Sequence, residues 1–340
     1  MMFRISTVTP NPKIGLKQGF FIKYNPMRRK LLFTSVFVLS IAFSACSRIA
    51  TPAQVVPNSK QEAASEKLVE AKPTTLPATP EPVNKPDPLL PADPQEISFK
   101  ASDGQELMGY YYPSASDKPG PLVVLMHWVV GDMSDWYEIA PWLQNRGLIN
   151  PFKSPSKFGW LNPTWFPTIS PDQSFGVFIF TFRDCAPFPV GCKGFDKAGW
   201  ILDAQAAMEK AAELEGVDAT RIAAIGSSIG ADAVVDACAW VNAQQPGACR
   251  GALSLSPCNC LKNSYYENVK KLGELPEPPA VWCFADEKEI FQCQLAGKIG
   301  NPSFKISEFP GGGHGNSLLN QNVEPSAMQG ILDFLSTALK

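Results

Sequence analysis

Histidine is the scarcest chemistry-bearing residue here: the 340 residues contain two, His127 and His314. A histidine-rich metal site is therefore excluded, and no CxxC pairs stand at zinc-finger spacing. A marked excess of charge of either sign is missing too. With 30 Lys and Arg against 32 Asp and Glu, the net charge of −2 offers no basic surface, so no nucleic-acid partner is expected. The apolar run LLFTSVFVLSIAF is too short for a comfortable membrane span. The scarcity of histidine has one further consequence: a histidine base, if the chain uses one, is one of these two.

The first third of the chain does not read as fold. Met27-Arg-Arg-Lys30, the apolar run, and Ser44-Ala45-Cys46 form a charged region, a hydrophobic region and small residues before a cysteine. The pattern resembles a bacterial lipoprotein signal, although Phe43 stands where Leu is usual. The resemblance implies lipidation at Cys46, which becomes the mature N-terminus and ties the protein to a membrane outside the cytoplasm. Ser47 after that cysteine favours the outer membrane where a cell has two. The residues ahead of Met27 would make a long charged region, which points to translation from Met27. From Ser47 to about Gln95 the chain is rich in Pro, Ala, Thr, Glu and Lys, too poor in large apolar groups to offset chain entropy. Three parts are thus expected: a signal segment over 1–45, a lipid-bearing cysteine with a disordered Pro-rich tether over 46–95, and a globular domain over 96–340.

Apart from Cys46, eight cysteines remain, an even number suited to disulfides in an exported protein. Loop proximity favours Cys185 with Cys192 and Cys238 with Cys249. Cys258, Cys260, Cys283 and Cys293 are left to pair among themselves across the strand ends near 258 and 293.

Within 96–340 the periodicity changes in a regular order. EISFKAS and ELMGYYYP alternate as two strands about Asp103-Gly104, and PLVVLMH is a continuous apolar strand. WYEIAPWLQNRG has helical spacing and ends at Gly147; GVFIFTF is a strand, ILDAQAAMEKAAELEG a helix, RIAAIGS a strand and ADAVVDACAWVNA a helix. GALSLS, VWCFA and FKISEF follow as strands and AMQGILDFLSTAL as a closing amphipathic helix. Such alternation implies a doubly wound, mostly parallel sheet flanked by helices. In RIAAIGSSIGADAV the glycines Gly226 and Gly230 frame Ser228 at a strand-to-helix turn, the G-x-S-x-G spacing that exposes a serine on a tight, strained backbone.

GSSIG, then PGGGHG about 85 residues later and after the last strand, set in this order of strands, resembles the α/β-hydrolase superfamily and its dienelactone-hydrolase-like branch over roughly 96–340. The resemblance implies a serine hydrolase with Ser228 as nucleophile and His314 as base. It places the acid in VWCFADEKEIF, where Asp286, Glu287 and Glu289 all qualify and Glu289 aligns best. SLSPCNC, after the preceding strand, offers no acid at the family's other common location. Backbone N–H groups of Ile229 and Trp128 would hold the oxyanion, with Trp128 standing where many relatives have glycine. His127 would be structural. The Pro- and aromatic-rich segment 150–174 reads either as a flap over the cleft or as extra core.

The expected activity is cleavage of a small-molecule or lipid-like carboxylic ester through an acyl-enzyme, with no metal or organic cofactor. Amide or peptide cleavage and acyl transfer are the enzymatic alternatives, since one triad serves all of them. A binding lipoprotein that lost turnover is the alternative outside catalysis. The oligomeric state is left open.

Overall fold

The structure, a computed structural model, describes residues 89–152 and 158–340. The signal segment, Cys46 and the tether as far as residue 88 lie outside the described residues. Residues 89–94, assigned above to the tether, are held on the domain: Arg146 Nη2 donates to Leu90 O (2.7 Å) and Gln144 Nε2 to Ala92 O (2.8 Å). Backbone carbonyls with side-chain donors fixed opposite them do not behave as free coil.

Eight strands form one sheet in the order β1-β2-β4-β3-β5-β6-β7-β8. These are β1 (Gln95–Lys100), β2 (Glu106–Tyr112), β3 (Gly120–Met126), β4 (Gly176–Phe180), β5 (Val217–Ser227), β6 (Gly251–Leu255), β7 (Ala280–Ala285) and β8 (Phe304–Glu308). β2 pairs antiparallel with both β1 and β4, and every later pairing is parallel. Runs such as GVFIF and AVWCFA are buried at every position because helices cover both faces, whereas the edge strand β1 alternates and the edge strand β8 has no fully buried residue. Six α-helices lie between and after the strands: α1 (Ile139–Gln144), α2 (Gly199–Ala212), α3 (Ile229–Gln244), α4 (Tyr265–Gly273), α5 (Phe291–Gly297) and α6 (Ala327–Ala338). Leu122, Val124 and Met126 of β3 join the core with α2, α3 and α4, while Val123 and Leu125 face α1 and α6. All three core clusters are drawn from residues 99–339, so a chain beginning at Ser47 carries all of the described core.

The expected doubly wound, mostly parallel sheet is thus present, with local departures. The helix read through WYEIAPWLQNRG is a 3₁₀ turn, Met133–Trp136, followed by the short α1. Pro141 lacks the N–H for a longer helix, and Asn145 ends α1 in the left-handed region (φ 49°), ahead of Gly147. Helices α4 and α5 were not anticipated. The disulfides Cys185–Cys192 and Cys238–Cys249 are as expected. The other four cysteines do pair among themselves, but as Cys258–Cys260 and Cys283–Cys293 rather than between the two regions. The loop after β6 curls on itself and brings Cys258 to Cys260, while Cys283 on β7 faces Cys293 on α5. Among the described residues, no helix is long and apolar enough to cross a membrane.

Candidate active site

Strand order reverses direction between β3 and β5: β3 connects to β4 on one side, β5 to β6 on the other. Ligands of open α/β sheets bind at such switch points, beyond the carboxyl ends of the strands. Ser228 lies there, at the end of β5. The apolar residues Ile222 to Ile225 bury β5 between β3 and β6, and the chain then turns directly into α3. Ser228 sits at φ 56°, ψ −112°, a conformation a non-glycine residue adopts only when its surroundings enforce it. The two framing glycines show the enforcement: a Cβ on Gly226 would collide with the Gly230 carbonyl, and one on Gly230 with the carbonyls of Met126 and His127. Ser228 N donates to Leu255 O (2.9 Å), and Ser228 O accepts from the N–H of Ala231 (2.9 Å) and Asp232 (3.2 Å), which starts α3. Ile229 occupies the first position of that helix, whose N–H has no partner within a helix.

The three acids after β7 have separate tasks. Asp286 accepts from Lys288 N (2.9 Å) and Gly313 N (3.1 Å), and Glu287 accepts from Gly311 N (2.7 Å), so both shape loops. Glu289 Oε2 lies 2.8 Å from His314 Nδ1. A proton on Nδ1 donated to this carboxylate leaves Nε2 as the basic nitrogen. The histidine loop is pinned beside the serine turn: Gly315 N donates to Ser256 Oγ (3.0 Å), and the Gly315 backbone lies against Ser227 Oγ. His314 and Glu289 side chains are each 37% exposed, open enough to meet a substrate.

His127 is fully buried, and both ring nitrogens are engaged: Nδ1 lies 2.6 Å from Trp128 O, and Nε2 accepts from Phe182 N at 3.0 Å. Burial pushes its pKa down to about 4, so it is neutral at pH 7. The imidazole thus fixes the backbone of Trp128 and has no nitrogen left for proton transfer. The Trp128 indole is buried between two rings, stacked on His314 (centroids 6.1 Å) and tilted against Phe158 (5.4 Å). It lines one side of His314 through these ring contacts. Behind it, the described part of segment 150–174 is packed as core: Phe158, Leu161, Phe166 and Ile169 are buried, and Trp142 Nε1 donates to Pro167 O (2.8 Å). Of the two readings of this segment, these residues fit extra core.

Sequence reasoning missed two polar supports. Ser256 is one. The other is Asp232, one turn beyond Ser228, which is buried and accepts four backbone N–H groups, from Cys258 (3.1 Å), Asn259 (3.0 Å), Cys260 (2.6 Å) and Leu261 (3.4 Å). It ties the start of α3 to the loop after β6, which also carries Ser256. Burial raises its pKa to about 6 in spite of those four donors. The only sequence signal for it is an acid in the first turn of the helix, and Asp236 one turn further on weakens even that. Asp232, Cys258 and Cys260 also bring potential metal ligands within 4.8 Å of one another. Both sulfurs are joined in a disulfide and both carboxylate oxygens are occupied by N–H donors, so the cluster does not suit a metal.

No protein-family model and no curated protein sequence matches the chain. Solved structures do. An esterase from Pyrococcus furiosus is similar at a TM-score of 0.51 and 14% identity, over 73% of this chain and 92% of that one. An α/β hydrolase from a Penicillium species aligns at 0.50 and 13%, over 73% and 99%. An esterase from Pyrobaculum calidifontis aligns at 0.50 and 14%, over 74% and 85%. The fold is that of the α/β hydrolases.

Proposed function

We propose that the domain is a serine hydrolase that cleaves carboxylic esters through an acyl-enzyme. The observation that carries this reading is the pairing of a strained serine turn at the switch point with a histidine whose Nδ1 meets Glu289 at 2.8 Å. Ser228 Oγ attacks the ester carbonyl as its proton passes to His314 Nε2. Glu289 holds the imidazole in the required tautomer and stabilises the imidazolium. The N–H groups of Ile229 and Trp128 receive the oxyanion. The histidine then protonates the departing alkoxide, which leaves as the alcohol, and Ser228 retains the acyl group. Water, deprotonated by the same nitrogen, attacks the acyl-enzyme and restores the serine with release of the acid. Removing a single member of such a set costs on the order of 10⁴–10⁶ in kcat.

Lipidation at Cys46 would hold this domain at a membrane outside the cytoplasm, on a tether long enough for the site to reach substrates near the surface. The four disulfides of the described domain suit that compartment.

The test is labelling of the chain from Ser47 by a fluorophosphonate probe, beside Ser228→Ala and His314→Ala, with the modified peptide located by mass spectrometry. Labelling at Ser228 that is lost in both variants supports the reading and leads to an ester screen, with amides and acyl acceptors run alongside. A folded chain that takes no label refutes it and leaves a binding lipoprotein.

A further inference from the structure

The eight-residue ring CAPFPVGC, closed by Cys185–Cys192, is stapled to the loop proposed to supply the oxyanion donor. Cys192 N donates to Val129 O (2.9 Å), and the Gly191 backbone packs so closely on Val130 that a Cβ there would stand 2.9 Å from Val130 Cα. Val129 is the residue after Trp128. The base of the ring is fixed as well. Lys193 N donates to Asp184 O (2.7 Å), Ala186 N to Gly191 O (3.1 Å), and Arg183 is clamped by Asp203 (2.7 Å) and Asp103 (2.5 Å).

This rigid frame presents apolar groups to solvent: Val190 is 62% exposed, Phe188 42% and Val130 39%. A crown of apolar side chains held by a disulfide, two prolines and backbone hydrogen bonds has its ordering entropy met in advance, which favours binding over folding as its use. Residues 185–192 carry no charged side chain, and the charges at the base, Asp184, Lys193 and the Arg183 cluster, are of both signs, so the crown itself is neutral. A charged headgroup or an acidic chain gains nothing there, whereas a hydrocarbon or aromatic arm does.

We propose that the Cys185–Cys192 ring, with Val130, is a subsite for the long, neutral, apolar arm of an ester substrate, placed against the oxyanion loop so that the arm is bound as the carbonyl is seated. The inference rests on the esterase reading and adds its substrate class. Val190 is already part-covered, so covering the rest of its side chain is worth roughly 5- to 20-fold in relative kcat/KM, and a carboxylate in its place adds to the loss.

The experiment compares p-nitrophenyl dodecanoate with p-nitrophenyl acetate on the chain from Ser47, its Val190→Asp variant and a Cys185→Ser/Cys192→Ser double variant, each verified as folded by circular dichroism. The expected result is a dodecanoate-to-acetate ratio of kcat/KM that falls at least tenfold in Val190→Asp, mainly through KM, and also falls in the double variant. A ratio unchanged in Val190→Asp overturns the inference while leaving the esterase reading standing. Sedimentation with neutral and anionic phospholipid vesicles is run in parallel: binding lost in Val190→Asp with an unchanged ester ratio would assign the crown to a lipid surface and overturn the subsite. If no ester is cleaved and Ser228 takes no fluorophosphonate, the esterase reading fails and the subsite falls with it.

Discussion

Asp232→Asn separates two physical effects that act on one carboxylate in opposite directions. Burial favours the neutral acid, and four backbone N–H groups favour the anion. Burial prevails, raising the pKa from the ordinary 3.8 to about 6. Between those values the native state keeps a proton that the unfolded chain has released. The stabilising effect of this raised pKa is therefore full below pH 4 and is lost as pH rises to about 6. At roughly 1.4 kcal/mol per pH unit the difference is about 3 kcal/mol. Asn does not titrate. It presents one carbonyl oxygen and turns its NH₂ towards two of the four backbone donors, which costs roughly 2–6 kcal/mol at one to three per orphaned group. Wild type should accordingly be more stable than Asp232→Asn, by a margin about 3 kcal/mol wider at pH 4 than at pH 7.5. Urea unfolding at 25 °C with linear extrapolation, disulfides intact, measures both margins. The hydroxyls of Tyr265 and Tyr266, which face the same carboxylate, have pKa values pushed up by burial and stay neutral across this range. A margin that widens as pH rises would refute the reasoning, because it would mean that the four donors outweigh burial.

Glu289→Gln replaces the carboxylate facing His314 Nδ1 by a neutral amide whose NH₂ can hold the wrong tautomer, and should lower kcat for a short ester by about 10⁴ with KM within a few-fold; Asp286→Asn, which loosens only a loop, should cost far less. His127 has the opposite pH sign to Asp232. Its folded pKa of about 4 lies below the ordinary 6.5, so its contribution is present above pH 6.5 and is lost as pH falls to 4. In His127→Gln the acid-side loss measured by urea unfolding should be shallower by about 3 kcal/mol. Gly226→Ala forces a methyl into the Gly230 carbonyl and should cost at least about 3 kcal/mol, roughly 6–12 °C in Tm by calorimetry, and equal stability would show that the turn is not strained as described.

The parts legible in the sequence are those set by short-range pattern. Apolar runs announced the buried parallel strands, and GSSIG announced its own turn because no side chain fits at either glycine. Among the three acids the pattern was ambiguous, since DEKE offers a carboxylate at nearly every step and only the path of the GGGHG loop decides which one meets the imidazole. Helix α4 had a readable signal that went unused: Ser264 accepts from Glu267 N in an S-x-x-E box. Helix α5 has no side-chain cap, and its first turn carries no acid. Asp232 and Ser256 could not be found by spacing, because their partners lie in loops brought alongside by the sheet.

Because Ser228 caps α3, the 16 residues of that helix run directly away from the seryl oxygen. Their aligned peptide dipoles act there as about half a positive charge, an end that would favour the alkoxide of the proposed mechanism. Asp232 brings a full negative charge into the first turn of the same helix, shared out over four N–H groups from another element. The potential at Ser228 is therefore the difference between two sources within one helical turn, one fixed and one titrating near pH 6. As the pH falls, the serine faces a more positive field from a group whose own hydrogen bonds all go to another loop.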